Sequence, residues 1–68
     1  MTDHIKTNVL TLRKKNHVTQ EEVALAVGVT RQTIIAIEKG NYTPSVLLAI
    51  KLARLFNTSV EDLFRYEK

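Results

Sequence analysis

The stretch "VTRQTIIAIEKGN", residues 29 to 41, holds the densest hydrogen-bonding chemistry in the chain. Ile34 and Ile37 repeat at helical spacing, as a buried face requires. Arg31, Gln32 and Thr33 open the same helix, and all three carry hydrogen-bonding side chains. Ile35 lies off the buried face. The rest of the chain offers no competing chemistry. It has no nucleophile–base pair, no glycine-rich phosphate loop and no cysteine. The two histidines, His4 and His17, are far apart and lack metal-ligand spacing. The pattern therefore points to recognition by hydrogen bonding, with no enzyme activity, no metal and no cofactor expected.

The elements that present this stretch are short helices joined by tight turns. A first helix is expected from about Thr7 to Asn16, with Val9, Leu10 and Leu12 inward and Arg13, Lys14 and Lys15 in its last turn, where cations oppose the helix dipole favourably. Thr19-Gln20-Glu21-Glu22 is a capping box that opens a second helix. Val23, Ala24 and Val27 form its apolar stripe, and Gly28 ends it in a positive-φ conformation. Thr30 caps the third helix, 31 to about 38, and Lys39-Gly40-Asn41 stops it. Thr43-Pro44 is read as the start of a fourth, with Thr43 as cap and proline at the first position. Its apolar residues Val46, Leu47, Ala49, Ile50, Leu52, Ala53 and Phe56 mark it as central. Ser59 caps a last short helix carrying Leu63 and Phe64. Segments 4–8 and 64–68 both alternate weakly; each either frays or pairs with the other as an antiparallel ribbon.

Length and charge bound the rest. A core of 68 residues supplies only about 3–5 kcal/mol. Without disulfides or metal, self-association is the remaining staple. The net charge is +3, and its placement matters more than its size. Residues 1–60 carry eight Lys or Arg against four acids, whereas Glu61, Asp62 and Glu67 face only Arg65 and Lys68 in the tail. A basic body suits a polyanionic partner. No apolar run approaches the ~18 residues of a membrane span. Asp3, His4 and Lys6 stand where a signal peptide would be hydrophobic. A cytoplasmic protein with no membrane partner is expected.

Ala24, Gly28, Val29, Ile34 and Ile37 share one geometry. Two helices crossing at a tight turn need a small residue at closest approach, a glycine at the corner and apolar residues beneath. A plain helical corner accounts for these residues but leaves the polar opening at 31–33 unexplained. The stretch "TQEEVALAVGVTRQTIIAIEKGNYTPSVLLAIKLARLFNTSVEDLF" resembles the Cro/repressor-type (XRE) helix-turn-helix transcriptional regulators of bacteria and phage, in their short single-domain form, over about residues 8–64. The resemblance implies a single all-α, five-helix lambda-repressor-like domain spanning 1–68, with its helix-turn-helix at 19–38. The third helix would enter the major groove of double-stranded DNA.

On that reading Arg31, Gln32, Thr33 and Ile35 meet base edges: arginine suits guanine, glutamine suits adenine, and isoleucine suits a thymine methyl. Gln20, Thr30, Lys39, Gly40, Asn41 and Tyr42 are the phosphate candidates, including the amides near Gly40 and Asn41. The family's glutamine at the position of Gln20 also buttresses the recognition helix. Arg13 and Glu38 match a structural ion pair. Leu63, Phe64 and Tyr66, within residues 57–68, are the expected contact of a homodimer reading a near-palindromic operator. The implied function is gene regulation, as a repressor, on nucleoid DNA. An antitoxin or immunity-type protein-interaction module on the same fold is the alternative.

Overall fold

The computed structural model describes residues 4–67. In chain order it contains β1 (His4–Thr7), α1 (Val9–Lys15), α2 (Gln20–Val27), α3 (Arg31–Glu38), α4 (Val46–Leu55), α5 (Val60–Leu63) and β2 (Phe64–Glu67). The terminal ribbon forms: β1 and β2 pair antiparallel, with His4 opposite Glu67, Ile5 opposite Tyr66, Lys6 opposite Arg65 and Thr7 opposite Phe64. It is tied to the helices where the strands end. The Asn8 amide donates to the Leu63 carbonyl at 2.9 Å, and Asn8 Nδ2 donates to the Asp62 carbonyl at 2.8 Å.

Helix starts follow side-chain caps. Thr19 and Glu22 close both bonds of the expected capping box, at 3.0 and 2.8 Å. Thr30, Ser45 and Ser59 each accept the amide three residues on. Two starts differ from the sequence reading. The first helix begins at Val9, because Thr7 belongs to β1 and turns its hydroxyl to the Val9 amide at 3.1 Å. The fourth begins at Val46. Ser45, not Thr43, caps it, and Pro44 stands one residue before the cap. Ser45 accepts from the Leu48 amide, which leaves Thr43 in the preceding loop.

Helix ends share one device. His17, Gly28, Gly40 and Asn57 all adopt positive φ, between 55° and 78°. In each case the next residue's amide folds back to a carbonyl five residues earlier: Val18 to Arg13, Val29 to Ala24, Asn41 to Ala36 and Thr58 to Ala53. This closure uses up amides and carbonyls that would otherwise be orphaned at a helix terminus.

The core contains Val9, Val23, Ala24, Val27, Ile34, Ile37, Leu48, Leu52, Ala53, Phe56 and Leu63, with Leu12, Val18, Val29 and Phe64 packed at its margin. One expectation about inward faces is corrected. Leu10 is exposed. On α4 the buried stripe is Leu48, Ala49, Leu52 and Ala53, while Val46 (77% exposed), Leu47 (64%) and Ile50 (40%) face outward. Packing of Leu48, Leu52 and Ala53 into the core sets this phase, and helical periodicity turns Val46, Leu47 and Ile50 to the other side.

Candidate nucleic-acid interface

The corner between α2 and α3 positions the site. Gly28 takes φ 78° and sends its amide to the Ala24 carbonyl at 2.9 Å; Val29 shares that acceptor at 3.0 Å. Ala24 is buried there, and its small side chain lets the helices meet. Ile34 and Ile37 are fully sunk in the core. The rotation of α3 is thereby settled, and its first residues are turned away from the core.

Arg31 and Gln32 are exposed, and neither side chain makes a hydrogen bond to another described residue. Thr33 is half-buried, and its hydroxyl lies 3.1 Å from that of Thr30. Since the Thr30 oxygen also accepts the Thr33 amide, the two hydroxyls form one small cap network. Ile35 and Ala36 are half-buried and lie outside the core cluster. The outer side of α3 is therefore a mixed surface of guanidinium, amide, methyl and one hydroxyl.

The far end of α3 is clamped. Arg13 Nε donates to Glu38 Oε2 at 2.6 Å, and Nη2 reaches Oε1 at 3.3 Å. Nη1 donates to the Val18 carbonyl at 3.1 Å. Gln20 Nε2 donates to Glu38 Oε1 at 2.9 Å. The Glu38 side chain is only 5% exposed and that of Arg13 only 13%. A carboxylate so buried is stable only with its lone pairs filled, and these donors fill them. One hub thus joins the last turn of α1, the first residue of α2 and the last residue of α3. Gln20 is a member of this hub, so one of its amide hydrogens is already committed.

The loop after α3 corrects one expectation. The Gly40 amide donates to Ile37 at 3.0 Å, the Asn41 amide to Ala36 at 3.0 Å and the Lys39 amide to Ile35 at 3.1 Å. These backbone donors are consumed by the helix closure, so they are not available to a phosphate. What the loop offers outward is the exposed side chains of Lys39, Asn41 and Tyr42. Tyr42 and Pro44 line one small cavity with Ile5, Ile37 and Phe64, so the tyrosine is partly packed.

Two residues left out of the sequence reading of the site join it here. Lys14 and His17 share an open basin with Arg31, Gln20 and Thr19. Their side chains are brought beside α2 by the sharp turn at His17, whose φ is 57°. No spacing rule marks them, because their approach to Arg31 on α3 depends on how the helices pack. Leu63 is also reassigned. It is fully buried in its own domain, so it cannot meet a second copy. Phe64 packs on the core margin, and only Tyr66 of the three expected dimer residues is well exposed, at 62%. Among the described residues no His, Cys, Asp and Glu group has the makings of a metal site, and no helix is long and apolar enough to cross a membrane.

The helix-turn-helix family profile matches residues 9–63. The chain is 47% identical over 64 residues to an HTH-type transcriptional regulator of Archaeoglobus fulgidus, covering 94% of this chain and 90% of that protein. It is 36% identical over 52 residues to the cryptic phage CTXphi transcriptional repressor RstR of Vibrio cholerae, covering 76% of this chain and 47% of that protein. Its fold superposes on the restriction-modification controller protein C.AhdI of Aeromonas hydrophila with a TM-score of 0.76 and 26% identity, over 84% of this chain and 86% of that one. With the corner at Gly28, the clamped helix behind it and a match over nearly its whole length, the chain belongs to the helix-turn-helix family, as a short regulator of the XRE type.

Proposed function

We infer that this chain is a sequence-specific double-stranded DNA-binding transcriptional regulator, acting as a repressor on nucleoid DNA in the cytoplasm. One observation carries the reading. Arg31 and Gln32 stand exposed and unpaired at the head of a helix whose opposite face is fully buried. Polar side chains held outward on a rigid support are prepared for a partner rich in hydrogen-bond groups, and the major groove is such a partner. With α3 in that groove, Gln32 pairs with an adenine edge. Ile35 meets a thymine methyl, and Thr33 contacts a base or phosphate with what its cap network leaves free. Arg31 shares its basin with Lys14, His17, Gln20 and Glu21, and among these Lys14 adds a second cation, so we assign Arg31 to a phosphate rather than guanine. Thr30, Lys39, Asn41 and Tyr42 complete the phosphate contacts through side chains, and Gly40 contributes only the turn. The repressor assignment is carried over from the name of the RstR relative.

The protein acts as a homodimer on a near-palindromic operator, with two copies of α3 about 34 Å apart. The dimer surface is centred on α4 and not on Leu63. Val46, Leu47 and Ile50 are exposed there, and a small apolar cavity joins Val46 to Ile5, Pro44, Val60 and Phe64. Tyr66 lies on the same ribbon face as Ile5. A 68-residue core gains most from burying these side chains against another copy.

An operator selected from a random DNA pool supplies the test. Gln32→Ala is expected to weaken binding to it by about 1–3 kcal/mol per half-site and to leave binding to random DNA nearly unchanged. Arg31→Ala is expected to weaken both alike. Equal losses for Gln32→Ala on both DNAs would remove the base contact. The protein-interaction reading keeps one specific support: an apolar groove of Val18, Val23, Ala26, Leu55 and Phe56, beside the exposed Leu25. Salt separates the two. A DNA reader with ~4–8 phosphate contacts loses affinity steeply as salt rises, whereas a protein held by that groove does not.

A further inference from the structure

The outer face of the terminal ribbon, opposite Ile5 and Tyr66, has no task in the DNA reading. The ribbon's register sets Lys6 directly opposite Arg65. By strand alternation the two share one face with Glu67, and Ile5, Thr7, Phe64 and Tyr66 share the other. Directly opposed side chains have Cβ atoms only about 4.5–5.5 Å apart, and like charges at that distance repel. Both residues are exposed, and neither side chain has an ion-pair or hydrogen-bond partner among the described residues. A ribbon of two four-residue strands is marginal by itself. A repulsive pair at its middle is a cost that an anion would turn into a gain.

The ridge leads into the interface already described. Lys6 lines the same open basin as Lys39 and Gly40, in the loop that follows α3. Of the two carboxylates on that basin, Glu38 is committed to Arg13 and Gln20. Glu67 lies on the same ribbon face, two residues beyond Arg65 and diagonal to Lys6, and has its own interaction within the chain. Lys39, Lys6 and Arg65 therefore form a positive track that starts at the loop and runs out along the ribbon.

We propose that Lys6 and Arg65 on the outer face of the terminal ribbon extend the DNA interface beyond Lys39 and bind the phosphates of the same duplex. The inference rests on the DNA-binding reading and adds a surface to it. Duplex phosphates carry about one charge per 1.7 Å of helix axis, so a track of cations meets anions at every step. The same two charges oppose the folded ribbon when the protein is free and hold the duplex when it is bound.

That double role gives the test two readouts of opposite sign. In the full chain carrying Lys6→Gln with Arg65→Gln, the melting temperature of the free protein is expected to stay level or rise. Affinity is expected to fall by the same factor for the selected operator and for random DNA. The slope of log K against log salt is expected to shrink by about 0.9 for each contact removed, about 1.8 per protomer. Lys6→Glu provides the check on folding, since it places opposite charges across the ribbon and supports it. It is expected to weaken both DNAs further while the fold stays intact. Unchanged affinity and slope in both variants, with Gln32→Ala still losing the operator, overturn the ribbon and leave the DNA reading standing. A loss confined to the operator also overturns it, as a phosphate contact is blind to sequence. Wild-type protein that binds neither DNA overturns both.

Discussion

Glu38 shows how one side chain fixes a surface it does not belong to. It accepts from Arg13 and Gln20 while nearly removed from solvent. Glu38→Ala leaves the Arg13 guanidinium buried without its partner, and loss of one partner of a buried pair costs about 3–5 kcal/mol. That is comparable to the whole stability of a domain this small, so thermal melting of Glu38→Ala is expected to show a largely unfolded protein. Gln20→Ala removes one neutral donor and keeps the ion pair, so a loss of about 1–2 kcal/mol is expected in the same measurement. Equal, small losses for both variants would mean that the hub is dispensable. The ion pair was legible beforehand as a family feature. The Glu38 contact of Gln20 adds a geometric detail: an amide hydrogen aimed at Glu38 is one fewer for a phosphate.

At the scale of the element, caps and closures decide where each helix stops and which way it is rotated. The capping box at Thr19 and the turn at Gly28 were readable from residue type, since hydroxyl caps and positive-φ glycines leave direct marks in sequence. The start of α4 was not. Thr43-Pro44-Ser45 contains two hydroxyl residues around a proline, and either serves as a cap by local rules. Packing of Leu48 and Leu52 into the core selects Ser45. Ser45→Ala is expected to cost about 1 kcal/mol in chemical denaturation, and Thr43→Ala close to nothing; the reverse order would restore the earlier helix start. The same helix phase turns Val46 and Leu47 outward, although both belong to the apolar content that marks the helix as central.

At the scale of the whole molecule, the outward face of α4 is the largest unspent hydrophobic asset. Leu47 is 64% exposed and contributes nothing to the core cluster. Leu47→Glu is therefore expected to leave the melting temperature of a dilute sample nearly unchanged and to shift sedimentation at micromolar concentration from dimer to monomer. A dimer that survives Leu47→Glu would move the contact elsewhere. Phe64→Ala is the poorer test, because Phe64 packs against the core margin and its loss unsettles the fold as well as any interface.

The sequence by itself determined the helical segments, the glycine corner, the hydroxyl caps and the polar opening of α3. Each of these is written in local periodicity or in the conformational preference of a single residue. It also raised the ribbon as one of two outcomes, but pairing 4–7 with 64–67 depends on contacts across the whole length of the chain. Only the tertiary structure decided that pairing, the burial of Leu63 and the meeting of Lys14 and His17 with Arg31. The reason is physical. Burial and hydrogen-bond occupancy belong to the packed state, in which residues distant along the chain compete for the same core volume and the same backbone donors.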